Sequence, residues 1–150
     1  MILKPKTSFE NFRSIGDDIT TIIGQFWGMV WGETSSAIDK KTKLLLSLSN
    51  AVGAGRIRQA TRELVKAYTL GVTVRELDEL FSLFIWNQGV GNFASEIGPS
   101  VLFAAYRFIK EEETGGKARE DIVKELTEKF GEKNPNVATE NMRKTIGGCD

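Results

Sequence analysis

The sequence predicts an all-helical protein, and three observations predict it. Apolar residues recur at three- and four-residue intervals along nearly the whole chain, no segment alternates with period two for long enough to make a strand, and the punctuation between periodic segments is that of helix caps. A length of 150 residues suits one domain that buries a core without disulfide support.

The first strong helix is expected from Asp18 to Trp31, with Ile19, Ile22, Ile23, Phe26 and Val30 on one face. Within it Gly24, Gly28 and Gly32 stand four apart, as do Trp27 and Trp31. Each glycine inside a helix costs ~1 kcal/mol relative to alanine, so the column implies close approach of another helix or a subunit contact. The helix lacks the basic polar face of a membrane-lying helix. A second helix starts at the N-cap Asp39, runs through "KKTKLLLSLSNAV" and is broken by the Gly-Ala-Gly at 53–55. A third carries Ile57, Ala60, Leu64, Ala67 and Tyr68 on one side and ends at Gly71, where a left-handed residue is needed.

Thr73 and Glu76 then form a capping box, and Val72 is placed to staple onto Leu77. The fourth helix, "VRELDELFSLFIWNQ", is apolar on almost every side after Leu80 and is expected to be central. After "GVGN", Pro99 opens a fifth helix with Val101, Leu102, Ala105, Tyr106 and Ile109 as its core face. "EEETGG" reads as a solvated hinge. Lys117 to Phe130 reads as an amphipathic helix on Ala118, Ile122 and Leu126, and a short helix is expected in the tail "VATENMRKTIGGCD". The division is a helical domain at 1–110 and a C-terminal helical extension at 111–150, packed back on the bundle or on a neighbouring subunit.

Composition narrows the chemistry. The absence of histidine removes the Ser-His-Asp triad, the Cys-His dyad and imidazole metal ligands. With 1 cysteine, Cys149, the chain has neither an internal disulfide nor a redox pair, and this thiol is read as passive. The 20 basic and 20 acidic residues cancel, which leaves no global field for nucleic acid or an anionic membrane. "MILKPKTSFENF" has no apolar stretch of signal-peptide length, and a cytoplasmic protein is expected. Arg58, Arg62 and Lys66 form a basic stripe, read as a solvated face or a subunit contact. Asn87, Gln88 and Asn92 bracket "GVGN", where glycine permits close backbone approach by a ligand, and Glu96 is a further carboxylate nearby.

The segment from Ala37 to Glu111 resembles the carboxymuconolactone decarboxylase and alkylhydroperoxidase D superfamily. The resemblance rests on the "DKKTKL" helix start, the helix ending in "LGVTVRELDEL" and the closing "AAYRFIKE", in that order and spacing. It implies a decarboxylase-like helical bundle that assembles as a trimer or hexamer. The peroxidase branch uses Cys-x-x-Cys-x-x-x-His with a glutamate one helix earlier. Aligned on Gly71, the cysteines fall on Arg56 and Gln59, the histidine on Glu63, and the glutamate on or beside Leu44. Neither arginine nor glutamine can attack a peroxide, so that reaction is not expected. The decarboxylase branch spaces Gly-Arg, six residues, His, seven residues and Gly. Gly55-Arg56, Glu63 and Gly71 keep that spacing with only the histidine replaced.

Two readings of function follow. In one, the chain is an oligomeric scaffold or small-molecule binder with a degenerate active site. In the other, it is a cofactor-free lyase acting on a small carboxylic acid or lactone, with Glu63 as acid or base in a pocket between the third and fourth helices. Arg56, Gln59, Asn87 and Asn92 are the candidate substrate contacts, Arg56 as a fork for a carboxylate. Each has a plainer reading beside it: Glu63 as a solvated helix glutamate, Arg56 as a surface residue at a helix start. No metal or cofactor is expected, and the partners are further copies of the chain and a small carboxylate, with no nucleic acid or membrane.

Overall fold

The computed structural model describes residues 7–32 and 36–132. They form eight α-helices and one π-turn, with no strand among them. The all-helical expectation therefore holds. Cys149 and the expected tail helix lie outside the described residues.

The bundle comprises α3 (Lys40–Gly53), α4 (Ile57–Thr69), α5 (Val74–Gln88), α7 (Val101–Thr114) and α8 (Arg119–Phe130). The three-residue α6 (Val90–Asn92) and the π-turn Phe93–Ile97 link α5 to α7. An N-terminal hairpin of α1 (Ser8–Ile15) and α2 (Asp17–Trp31) lies against this bundle. Asp39 caps α3 by accepting the Thr42 amide at 2.9 Å. Donation from the Thr42 hydroxyl, and then that amide bond, hold its carboxyl below the ordinary value. Three helices stop in the same way. After α3, α4 and α7 a glycine with positive φ (Gly55, Gly71, Gly116) reverses the chain. The amide after each returns to a carbonyl five residues back, as from Val72 to Ala67.

The Thr73–Glu76 capping box forms, and its flanking staple residues Val72 and Leu77 are both fully buried.

The central helix is α4, not α5. Ala60, Leu64, Ala67 and Tyr68 are fully buried, and α4 packs against α3, α7 and α8. Small residues let these backbones approach, whereas α5 turns Leu83, Ile85 and Trp86 outward, the last 84% exposed. A helix apolar all round can be buried, but only neighbours bury it. The expected core face of α7 is buried throughout. The expected hinge is not one, because Glu111, Glu112 and Glu113 are the last turn of α7 and the reversal uses only Gly115 and Gly116. Carboxylates at a helix C-terminus oppose the helix dipole. Here Lys117 answers them by pairing with both Glu112 and Glu125. Ala118 is the exposed N-cap of α8, not part of its core face, while Ile122 and Leu126 are fully buried. Ser100, not Pro99, caps α7 through the Phe103 amide.

The apolar face of α2 departs furthest from expectation. No residue of α2 is buried, and Ile22, Phe26 and Met29 face outward. Phe9 of α1 comes within 3.8 Å of where a Cβ on Gly24 would lie, but nothing described lies within 4 Å of one on Gly28. Only part of the glycine column therefore admits a helix.

Candidate functional site

Gln59, Arg62, Glu63 and Lys66 are spaced i, i+3, i+4 and i+7, which sets them in one stripe along α4. That stripe faces the N-terminal hairpin. Between them lies a cavity of about 510 Å³, with Phe9 and Trp27 as its apolar wall and Thr127 and Glu132 at the end of α8 on its rim. Its size is in the range of small-molecule sites.

Three polar attachments hold the hairpin over the bundle. The Ser8 amide and hydroxyl both donate to the Glu132 carboxylate, joining the start of α1 to the chain just beyond α8. Lys66 sets its ammonium 5.2 Å from the Trp27 ring centroid. Lys43 donates to the Val30 carbonyl at 2.7 Å, near the end of α2. No apolar residue of α2 is fully buried in support of these contacts.

Glu63 is the unusual residue of the stripe. It is only 6% exposed. One carboxylate oxygen lies 3.6 Å from the Lys66 ammonium. The other, Oε2, is buried with no hydrogen-bond partner among the described residues, and the same is true of Arg62 Nε. Leaving a buried acceptor unpaired costs about 1–3 kcal/mol, and such groups need an explanation beyond folding. The surroundings are electrically mixed. Burial lowers the pKa of Arg62, aided by Arg58 and opposed by Glu132 and Glu63. Burial pushes Glu132 upward, but the Ser8 donors and the charges of Arg62 and Lys66 outweigh it and hold the carboxyl below its ordinary value. The cavity thus offers two cations, two carboxylates and an aromatic wall.

Of the candidate residues, the fold brings together Glu63 and Gln59. Arg56 is exposed at the N-cap of α4 and makes no side-chain capping bond. Asn87 is exposed at the end of α5, Asn92 in α6, and Glu96 in the π-turn. None of these four lines the Glu63 cavity. The cavity lies between α4 and the α1–α2 hairpin, not between α4 and α5, because α5 leans on α3 and α7. Arg62 and Lys66 are not simply a solvated face: Arg62 is half-buried and both line the cavity. Ser8 and Glu132 are not among the sequence candidates, and the sequence places Trp27 at a helix or subunit contact instead of a cavity wall. The stripe carried a signal in its own spacing, but the residues facing it come from the two ends of the chain.

No group of carboxylates and thiols with metal-holding geometry occurs among the described residues, and no described helix is long and apolar enough to cross a membrane. No family model, characterised protein or solved structure matches this chain.

Proposed function

We propose that the chain is a carboxymuconolactone decarboxylase-like protein that has lost the thiol relay and binds a small molecule in the Glu63 cavity. The observation that carries the reading is the Glu63 carboxylate: buried, with one oxygen unpaired, on the wall of a space large enough for a ligand. The helical order and the glycine reversals at Gly55 and Gly71, which keep the decarboxylase spacing around position 63, support the family assignment. The ligand is a small carboxylic acid carrying a hydroxyl or amino donor. Its carboxylate is drawn to Arg62 and Lys66, and its donor meets the acceptor that Glu63 leaves open. Phe9 and Trp27 cover its apolar part.

The protein works as a trimer or hexamer in the cytoplasm. Two apolar faces support assembly, one on α2 through Ile22, Phe26 and Met29, the other on α5 and α6 through Leu83, Trp86 and Val90. The burial of Glu63 also favours a second reading, a cofactor-free lyase. A carboxylate out of water between an aromatic wall and a cation is a suitable proton carrier for decarboxylation.

Native mass spectrometry of gently purified protein tests the proposal. The expected result is an oligomer carrying one small acid per subunit, absent from Glu63→Gln of unchanged helical content. An empty oligomer refutes the binder, and a monomer removes support for the family. If the captured acid is turned over by wild type and ~10²-fold more slowly by Glu63→Gln, the lyase reading replaces simple binding.

A further inference from the structure

A second cavity, of about 420 Å³, adjoins the first across Trp27, Val65 and Lys66. Trp27, Gly28 and Trp31 of α2 form one side; Leu44 of α3, Val65 of α4 and Leu70 just beyond α4 form the other. Nothing in the function proposed above uses it. Among the described residues, the charged side chains on its lining are Lys40 and Lys66, and no carboxylate is among them. Lys40 stands at the start of α3, exposed, with no hydrogen-bond or ion-pair partner among the described residues. Lys66 reaches the cavity beside the Trp27 ring.

The glycine column gains a purpose here. No described atom lies within 4 Å of a Cβ built on Gly28, so no packed helix requires a glycine there. Gly28 and Gly32 instead line this cavity, between and beyond the two indoles whose ring centroids are 5.9 Å apart. A side chain at Gly28 would take up the space, whereas a Cβ on Gly32, just beyond α2, would meet the Gly28 carbonyl oxygen. Gly28, inside α2, thus maintains an apolar slot at the cost a glycine imposes on a helix, and the charged side chains lining it among the described residues are both cationic.

We infer that this slot binds a single-chain amphipathic carboxylate, with its apolar chain against Trp27 and Trp31 and its carboxylate toward Lys40 and Lys66. The apolar walls fit an alkyl or aryl body, the ammonium groups of Lys40 and of Lys66, which also lies 3.6 Å from Glu63, favour a negative head, and the volume is within the small-molecule range. Each methylene removed from water strengthens binding by about fourfold, so affinity should rise with chain length until the slot is filled. A carboxylate here stays clear of Glu132, unlike one in the neighbouring cavity.

The tryptophans supply the assay. In Trp86→Phe, which removes an exposed residue of α5, only Trp27 and Trp31 remain to report by fluorescence. Octanoate is expected to change that signal saturably, about fifteenfold more tightly than hexanoate. It should also bind about tenfold more tightly than octan-1-ol or octyltrimethylammonium. Lys40→Gln should weaken octanoate several-fold without affecting octan-1-ol. Gly28→Leu should abolish binding while circular dichroism stays unchanged. No saturable change up to about 10 mM octanoate, equal binding of the cationic amphiphile, or full binding by folded Gly28→Leu would each overturn the inference. The ligand series decides the matter even if that variant fails to fold. A response to anionic phospholipid vesicles without one to octanoate would refute the free acid as occupant.

Discussion

Replacing Glu63 by methionine should make the empty protein more stable. The side chain is 8% exposed and one of its oxygens lacks a partner. Methionine is unbranched and of similar length, so it can follow the same path along α4 with little repacking. Removing the orphaned acceptor recovers about 1–3 kcal/mol. The substitution loses the contact with Lys66, whose ammonium is 3.6 Å away and whose side chain is 46% exposed. A contact this long, with the ammonium still reached by solvent, contributes at most about 1 kcal/mol. The balance is a gain of about 1–2 kcal/mol, seen as a higher urea midpoint at unchanged slope. For a chain of this size it corresponds to a rise in Tm of roughly 2–8 °C. The same variant should lose the ligand, since a carboxylate kept for binding costs stability when the site is empty. A fall of 1 kcal/mol or more on this substitution would refute the reasoning, because it would mean that Glu63 is held by contacts that stabilise the fold.

Other perturbations test the frame around the site. Arg119 donates to the carbonyls of Tyr68 and Val72 at 2.6 and 2.7 Å, with its guanidinium 4.0 Å from the Tyr68 ring centroid. Arg119→Ala should cost about 1–3 kcal/mol in urea denaturation, because it unpins α8 from the end of α4. Gly71→Ala meets no steric obstacle but forces alanine to φ 103°. A loss of about 1–2 kcal/mol is expected, and no loss would show that the reversal tolerates a side chain. Burial, followed by donation to Glu113, pushes the Tyr68 hydroxyl up to about 12 from its ordinary value of 10.0. Since the folded pKa is the higher one, this contribution is complete below pH 10 and disappears as pH rises toward about 12. The Tm difference between wild type and Tyr68→Phe should shrink across that window. Trp86→Glu should lower the assembled mass in native mass spectrometry, and an unchanged oligomer would exclude the α5 face from the interface.

Local chemistry determined much of the fold at the level of sequence. Asp39, the Thr73–Glu76 pair, Gly71 and the helix they bound are properties of neighbouring residues, since caps and reversals satisfy backbone groups within one turn. The buried face of α7 was equally legible, because a periodic apolar stripe is a sufficient instruction once something packs on it. The centre of the bundle is not legible in this way. Apolarity made α5 look central, but the small residues of α4 let three helices close around it. For the site, the resemblance singled out Glu63, Gln59 and Arg56 by their spacing from Gly71. It had no means of knowing that Arg56 would stand clear of the cavity. Only the tertiary structure decided what faces Glu63, by carrying Ser8 to Glu132 across 124 residues and laying Trp27 against Lys66. Spacing along a helix is set by bonds within a few residues, but a cavity is the space between segments distant in the chain. Its walls and charge exist only once those segments have packed together.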